Sequence, residues 1–423
     1  MRVPARPRPT LAVVVVAVAA LVMALVGWRG AVGVARTAAA AACGPAWVTA
    51  WRAAMQTGTP PRTIAGGGTL RMIVRPQVDG AQVRVRLSNA YGSAPLAIDA
   101  VSAARATGAA GLVPGTERPV TFGGRAATVV PPGGEAVSDP VGVDASGPLA
   151  VTIAVPALPA VVSEHPVALQ TSWVAPPGVS LERGAPLTSW LLLSGVDVLA
   201  PRPVHAVVAV GDSITDGVGT APDAAARWTD ALATRLTAAG GGATMVVLNA
   251  GISRNELLAD GAGGPPPQAR FASDVAGTLG ATDVVLNIGT NDIAAGRDAA
   301  AIEAGLVRFA DAAHAAAMRV FLTTITPSVA GAHGTPRAIG TRAAVNAWVR
   351  AHGREHAAGV IDFAAAVADP THPERLGPSA DAGDGLHLSA AGYRALAAAV
   401  PVNVLTGSPC LANDPTAALA LFP

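Results

Sequence analysis

The chain has 423 residues, 51% of them apolar and only 13% charged, with a formal net charge of +1. That composition excludes a disordered chain, and with no basic block after residue 10 there is no footprint for a nucleic-acid partner. The length exceeds what one hydrophobic core ordinarily serves, so two domains are expected.

The N-terminus reads as an address. "MRVPARPRPT" carries three arginines, "LAVVVVAVAALVMALV" (Leu11 to Val26) carries no charge, and the Ala-rich "TAAAAACG" follows. A basic segment, an apolar stretch and small residues fit a secretory signal and linker over residues 1–42, giving a secreted protein. The alternative is an uncleaved membrane anchor, since the apolar run is a few residues short of a span. Membrane contact is expected through this segment alone. The two cysteines, Cys43 and Cys410, lie near the ends. In an oxidising compartment an even pair points to a disulfide, with lipid attachment at Cys43 or two free thiols as alternatives.

Residues 44–200 alternate with period two. "TLRMIVRP" sets Leu70, Met72 and Val74 on one face, "AQVRVRLSN" sets Val83, Val85 and Leu87 against Arg84 and Arg86, and "PLAVTIAV" continues the pattern. Short alternating strands between Gly/Pro turns predict an antiparallel β-sandwich, an accessory domain. From residue 204 to 404 the rhythm changes. "AVVAV", "TMVVLNA", "DVVLNIG", "RVFLTTI" and "GVIDF" read as buried strands, separated by helical stretches near 224–239, 299–318, 337–352 and 389–400. Strands alternating with helices predict an α/β domain with a parallel sheet, and residues 405–423 are left as a tail. Ligands bind beyond the carboxyl ends of such strands.

Those ends carry more polar residues than turns require. The first strand is followed by "GDSITDG", the second by "NAGISRN" and the third by "IGTND", while "DGLHLS" precedes the last helix. Ser213, Asp384 and His387 form a candidate nucleophile, orienting acid and base, because a serine needs an imidazole to take its proton and a carboxylate to fix the tautomer. The backbone N–H of Ser213, the N–H of Gly251 and the amide of Asn291 are candidate oxyanion donors. Asp216 and Asp292 read as structural. "HGREH" (His352 to His356) fits an inverted zinc-protease pattern, yet it sits at a helix end where cationic residues are ordinary, so no metal is assigned. His165, His205, His314, His333 and His372 show no partner pattern.

Together these four blocks resemble the SGNH (GDSL-type) serine hydrolase family over about Val204 to Val400, with Arg254 standing where a smaller residue is expected in the glycine block. The layout is similar to a secreted bacterial branch of aryl-esterase-like and xylan-associated esterases with an N-terminal β-domain. The resemblance implies a flavodoxin-like three-layer domain, a Ser213–His387–Asp384 triad, Ser213, Gly251 and Asn291 as oxyanion donors, no cofactor, and hydrolysis of carboxylic esters. Short acyl esters of small molecules or polysaccharides are the expected substrates. The competing readings are a lipase or lysophospholipase, and a carbohydrate-binding β-domain on a silent SGNH scaffold.

Overall fold

A computed structural model describes residues 43–240, 245–407 and 410. The N-terminal address and most of the tail lie outside the described residues. The described residues from Ala46 onward form one compact unit. Among the described residues no helix is long and apolar enough to cross a membrane, and no cysteine is free.

The first half is built of antiparallel sheets. Gly68–Val74 pairs with Leu149–Val155, and Val83–Ser88 pairs with Leu193–Ala200, which also pairs with Ala46–Arg52. The period-two pattern is what buries them: Val83, Val85 and Leu87 are fully buried while Arg84 and Arg86 between them are partly exposed. In Gly68–Val74 both faces are covered, so Arg71 is buried as well as Leu70, Met72 and Val74.

The second half is a five-stranded parallel sheet, its strands numbered here from its own start: β1 (His205–Gly211), β2 (Met245–Gly251), β3 (Ala281–Asn287), β4 (Arg319–Thr323) and β5 (Gly359–Ile361). Their spatial order is β2-β1-β3-β4-β5, the flavodoxin-like arrangement. The helices are α1 (Ser213–Asp216), α2 (Trp228–Gly240), α3 (Thr290–Ala294), α4 (Ala299–Ala315), α5 (Pro336–His356), α6 (Phe363–Val367) and α7 (Ala390–Ala399). Alternation along the strands makes the three layers. Val207, Ala209 and Val247 pack with Trp228, Leu232, Phe363 and Tyr393 on α2, α6 and α7. Ala206, Val208, Val246 and Leu248 face the other way, toward Ile302, Phe309, Val345 and Val349 on α4 and α5.

The two halves share a core. The apolar cluster that holds Leu70, Val85 and Val151 is continuous with the α4–α5 face of the parallel sheet. The antiparallel half also covers the β2 edge, which would otherwise show unpaired backbone. Gln77 Oε1 accepts from the Val247 N–H at 2.8 Å. Nearby, Thr49 N donates to Leu279 O at 3.1 Å, and Thr49 Oγ1 accepts from Leu279 N at 3.1 Å.

Candidate active site

β1 and β3 are neighbours at the point where the strand order reverses, and Gly211 is in register with both Gly251 and Asn287. Their carboxyl ends therefore open at one level. At the end of β1 the chain enters α1 directly. Asp212 caps this helix, its Oδ1 accepting from Ile214 N at 3.0 Å, and Gly217 closes it with φ 101°. A single turn of helix starting at Ser213 holds the hydroxyl above the sheet. The Ser213 N–H, among the first of a helix, has no acceptor among the described residues.

The structure brings together the three residues singled out for a triad. Ser213 Oγ lies 3.0 Å from His387 Nε2, and His387 Nδ1 lies 2.6 Å from Asp384 Oδ2. The other carboxylate oxygen, Oδ1, accepts from Leu386 N at 2.9 Å and His387 N at 2.8 Å. Partial burial pushes the Asp384 carboxyl upward, but these hydrogen bonds and the charge of His387 outweigh it and hold the group at about 2. An ionised Asp384 fixes the proton on Nδ1 and leaves Nε2 as an acceptor for the serine proton. The loop that carries this pair is propped from one side, where Ser328 Oγ donates to Gly385 O at 2.9 Å and Val329 N to the same oxygen at 3.2 Å. The same segment brings His333, for which the sequence offers no partner pattern, to 3.3 Å from Thr290 Oγ1, beside Asn291. Burial lowers the His333 imidazole.

The Gly251 expectation is corrected. Its N–H donates to Asn249 Oδ1 at 2.8 Å, and Gly251 is the last residue of β2. A Cβ there would collide with the backbone N of Asp216, so the glycine serves the close approach of α1 to β2. The open donor lies three residues on. Asn255 N donates to Ile252 O at 3.0 Å, closing a turn in which Arg254 adopts φ 67°. The Arg254 N–H has no acceptor among the described residues. This turn is pinned on both sides. Ser253 N and Oγ donate to Asp216 Oδ2 at 2.9 and 2.7 Å, and Asn291 Nδ2 donates to Asn255 O at 2.9 Å. An amide has two N–H groups, so Asn291 is oriented by one and keeps the other.

Three buried carboxylates surround the nucleophile. Asp292 accepts from Leu257 N at 2.7 Å and Leu258 N at 3.0 Å, and burial raises its carboxyl. Asp212 is pushed up to about 7, first by burial, then by the charges of Asp292 and Asp216 against the Ile214 hydrogen bond. Asp216 and Asp292 thus hold loops, the structural role read for them. The His352 motif lies on an exposed helix surface, where His352 Nδ1 meets Glu355 Oε1 at 2.9 Å. Among the described residues no three potential metal ligands are grouped.

A model of the GDSL-like lipase/acylhydrolase family matches residues 209–395, which contain every residue of this site. No curated protein matches the chain. Solved structures similar to it include an aryl esterase from M. smegmatis (20% identity, 46% of this chain and 96% of that one, TM-score 0.38). Others are a carbohydrate acetylesterase from Sinorhizobium meliloti (19%, 46% and 94%, TM-score 0.37) and a member of the lipolytic G-D-S-L family from Veillonella parvula (22%, 46% and 96%, TM-score 0.36). With these blocks at the ends of a parallel sheet, the chain carries a GDSL-like lipase/acylhydrolase domain over residues 209–395.

Proposed function

We propose that the protein is an exported serine esterase that removes short acyl groups, acetyl above all, from carbohydrate polymers. The observation that carries the chemistry is the hydrogen-bonded chain from Ser213 Oγ through His387 to Asp384. Ser213 Oγ attacks the ester carbonyl while His387 Nε2 takes its proton, and Asp384 stabilises the imidazolium that forms. Charge developing on the carbonyl oxygen meets the N–H groups of Ser213 and Arg254 and the second N–H of Asn291. His387 returns the proton to the departing alcohol. Water, deprotonated in turn by His387, then releases the acid and restores Ser213.

The short-acyl reading is supported by the surroundings of the triad. The segments that border it, Ser253 to Asn255, Thr290 to Asn291 and Asp381 to His387, are short and polar, and Asp384 is exposed. Such a border suits a shallow site open to a polymer, whereas a long acyl chain needs an apolar channel. Export is supported by the basic and apolar N-terminal segment. The test compares acetyl, butyryl, octanoyl and palmitoyl esters of one leaving group, then acetate release from acetylated xylan. Highest kcat/KM on the acetyl ester, with acetate released from the polymer, is expected. Highest kcat/KM on the palmitoyl ester and no acetate from the polymer would overturn the reading in favour of a lipase, and no hydrolysis of any ester would favour a silent scaffold.

A further inference from the structure

Between the two halves lies a buried ion pair with no place in the catalytic scheme. His165 ends the antiparallel strand Val162–His165 and is 3% exposed; Asp216 ends α1 and is 2% exposed. His165 Nδ1 lies 2.8 Å from Ala54 O. Its Nε2 lies 3.1 Å from Asp216 Oδ1 and 3.2 Å from Val167 O. Carbonyl and carboxylate oxygens only accept, so both ring nitrogens act as donors and the ring is an imidazolium. The Asp216 charge overcomes the burial that opposes this state, with Arg227 acting against it, and the imidazole is held above its ordinary value. The remaining oxygen of Asp216, Oδ2, holds Ser253 by both its N–H and its hydroxyl.

A second strut runs in parallel. Arg227 Nε donates to Asp216 O at 2.9 Å, and its guanidinium also donates to Ala168 O. The antiparallel half thus grips the far end of the four-residue helix that begins with Ser213, and through Ser253 the turn that presents the Arg254 N–H. A charged pair is costly to bury between two packed sheets, and a purely apolar contact would join them as firmly. Its distinctive product is geometry at one atom pair.

We propose that His165 of the antiparallel half is a positioning residue for catalysis: through Asp216 it fixes α1 and the Ser253–Arg254 turn, so the antiparallel half is a working part of the active site. The inference rests on the reading of Ser213 as nucleophile and is independent of which ester is preferred.

The experiment follows the labelling of Ser213 by a fluorophosphonate, a probe that needs the activated serine and no particular substrate. It uses the full chain with His165→Gln, Asp216→Asn, their double variant and Ser253→Ala, each with its melting temperature. Ser253→Ala removes one hydroxyl and leaves the ion pair intact, so it reports even where a change at the buried pair impairs folding. The maximal labelling rate is expected to fall about 10–100-fold in each folded variant, with the half-saturating probe concentration nearly unchanged, as for a small displacement of reacting groups. The double variant is expected to be no slower than the worse single one, because both act through one path. Unchanged labelling rates in folded variants whose melting temperatures drop would overturn the proposal and make the pair merely structural. So would losses that multiply in the double variant, or Ser253→Ala labelling at the wild-type rate. Failure of the wild-type protein to label would overturn the nucleophile reading itself.

Discussion

Replacing Asp384 by Asn separates the electrostatic part of the triad from its tautomeric part. The asparagine oxygen still accepts from the N–H groups of Leu386 and His387, so the loop keeps its shape. Its amide, however, donates where the carboxylate accepted. His387 Nδ1, 2.6 Å away, must then become an acceptor, and the ring proton moves to Nε2, facing Ser213 Oγ 3.0 Å away. In that tautomer His387 cannot take the serine proton. The electrostatic share is the smaller one. The whole fall of the carboxyl from 3.8 to about 2 is worth roughly 2.5 kcal/mol at about 1.4 kcal/mol per unit, an upper bound because it includes the Leu386 and His387 N–H bonds that the asparagine keeps. With the side chain 52% exposed, solvent screening reduces this to about 1 kcal/mol, or about fivefold in rate. The tautomer dominates, and where a triad carboxylate is fully buried the combined loss is roughly 10⁴-fold. Here a fall in kcat of about 10²–10³ is expected, with KM nearly constant. Steady-state hydrolysis of p-nitrophenyl acetate between pH 5 and about 9 measures it across the ordinary imidazole range. A variant that keeps more than about half of the wild-type kcat would remove Asp384 from the orientation of the base.

Asn291→Ala is expected to lower kcat by about 10²–10³ with little change in KM, because its free N–H acts as charge develops; a change in KM alone would make it a ground-state contact. Gly251→Ala is expected to cost about 1–3 kcal/mol of stability through collision with the Asp216 backbone, read as a lower melting temperature; an unchanged melting temperature would refute the packing role. Asp212 stays protonated up to about 7 in the folded chain but ionises near 3.8 when unfolded, so the native state binds the extra proton and stability falls as pH rises through that window. Asp212→Asn, which still caps α1, is expected to melt higher than wild type at pH 8 and to lose that advantage near pH 4, within the range the same linkage sets. Parallel melting curves across that range would show that the Asp212 carboxyl is not strained by burial.

Ser213, Asp384 and His387 were legible because their signal is local. Ser213 follows a short apolar run, and the three-residue spacing of Asp384 and His387 just before the last helix places both on one loop. The parallel sheet and the antiparallel half were legible for a similar reason, since burial on both faces and burial on one leave different rhythms in strands such as Ala206 to Val210 and Val83 to Leu87. Gly251 misled because a glycine at a strand end serves an open donor and a close packing contact equally well, and only the position of Asn249 and α1 decides between them. The signal at Arg254 was its presence among small residues, but its left-handed backbone follows from a turn pinned by Asp216 and Asn291. His165 could not be read at all. Its partner is 51 residues away in another fold region, and nothing in "VSEH" announces a carboxylate. The sequence likewise suggests two domains, whereas Gln77, Thr49 and His165 tie the antiparallel half to β2, to the segment before β3 and to α1 respectively.

Catalysis rests on Ser213 as the nucleophile, and the most direct measurement is ester hydrolysis by Ser213→Ala alongside its melting curve. The residue is a small side chain on a capped helix turn, so the melting temperature is expected to stay within a few degrees of wild type while kcat falls by about 10⁴–10⁶. A folded Ser213→Ala protein that still hydrolyses p-nitrophenyl acetate at a rate close to wild type would contradict it.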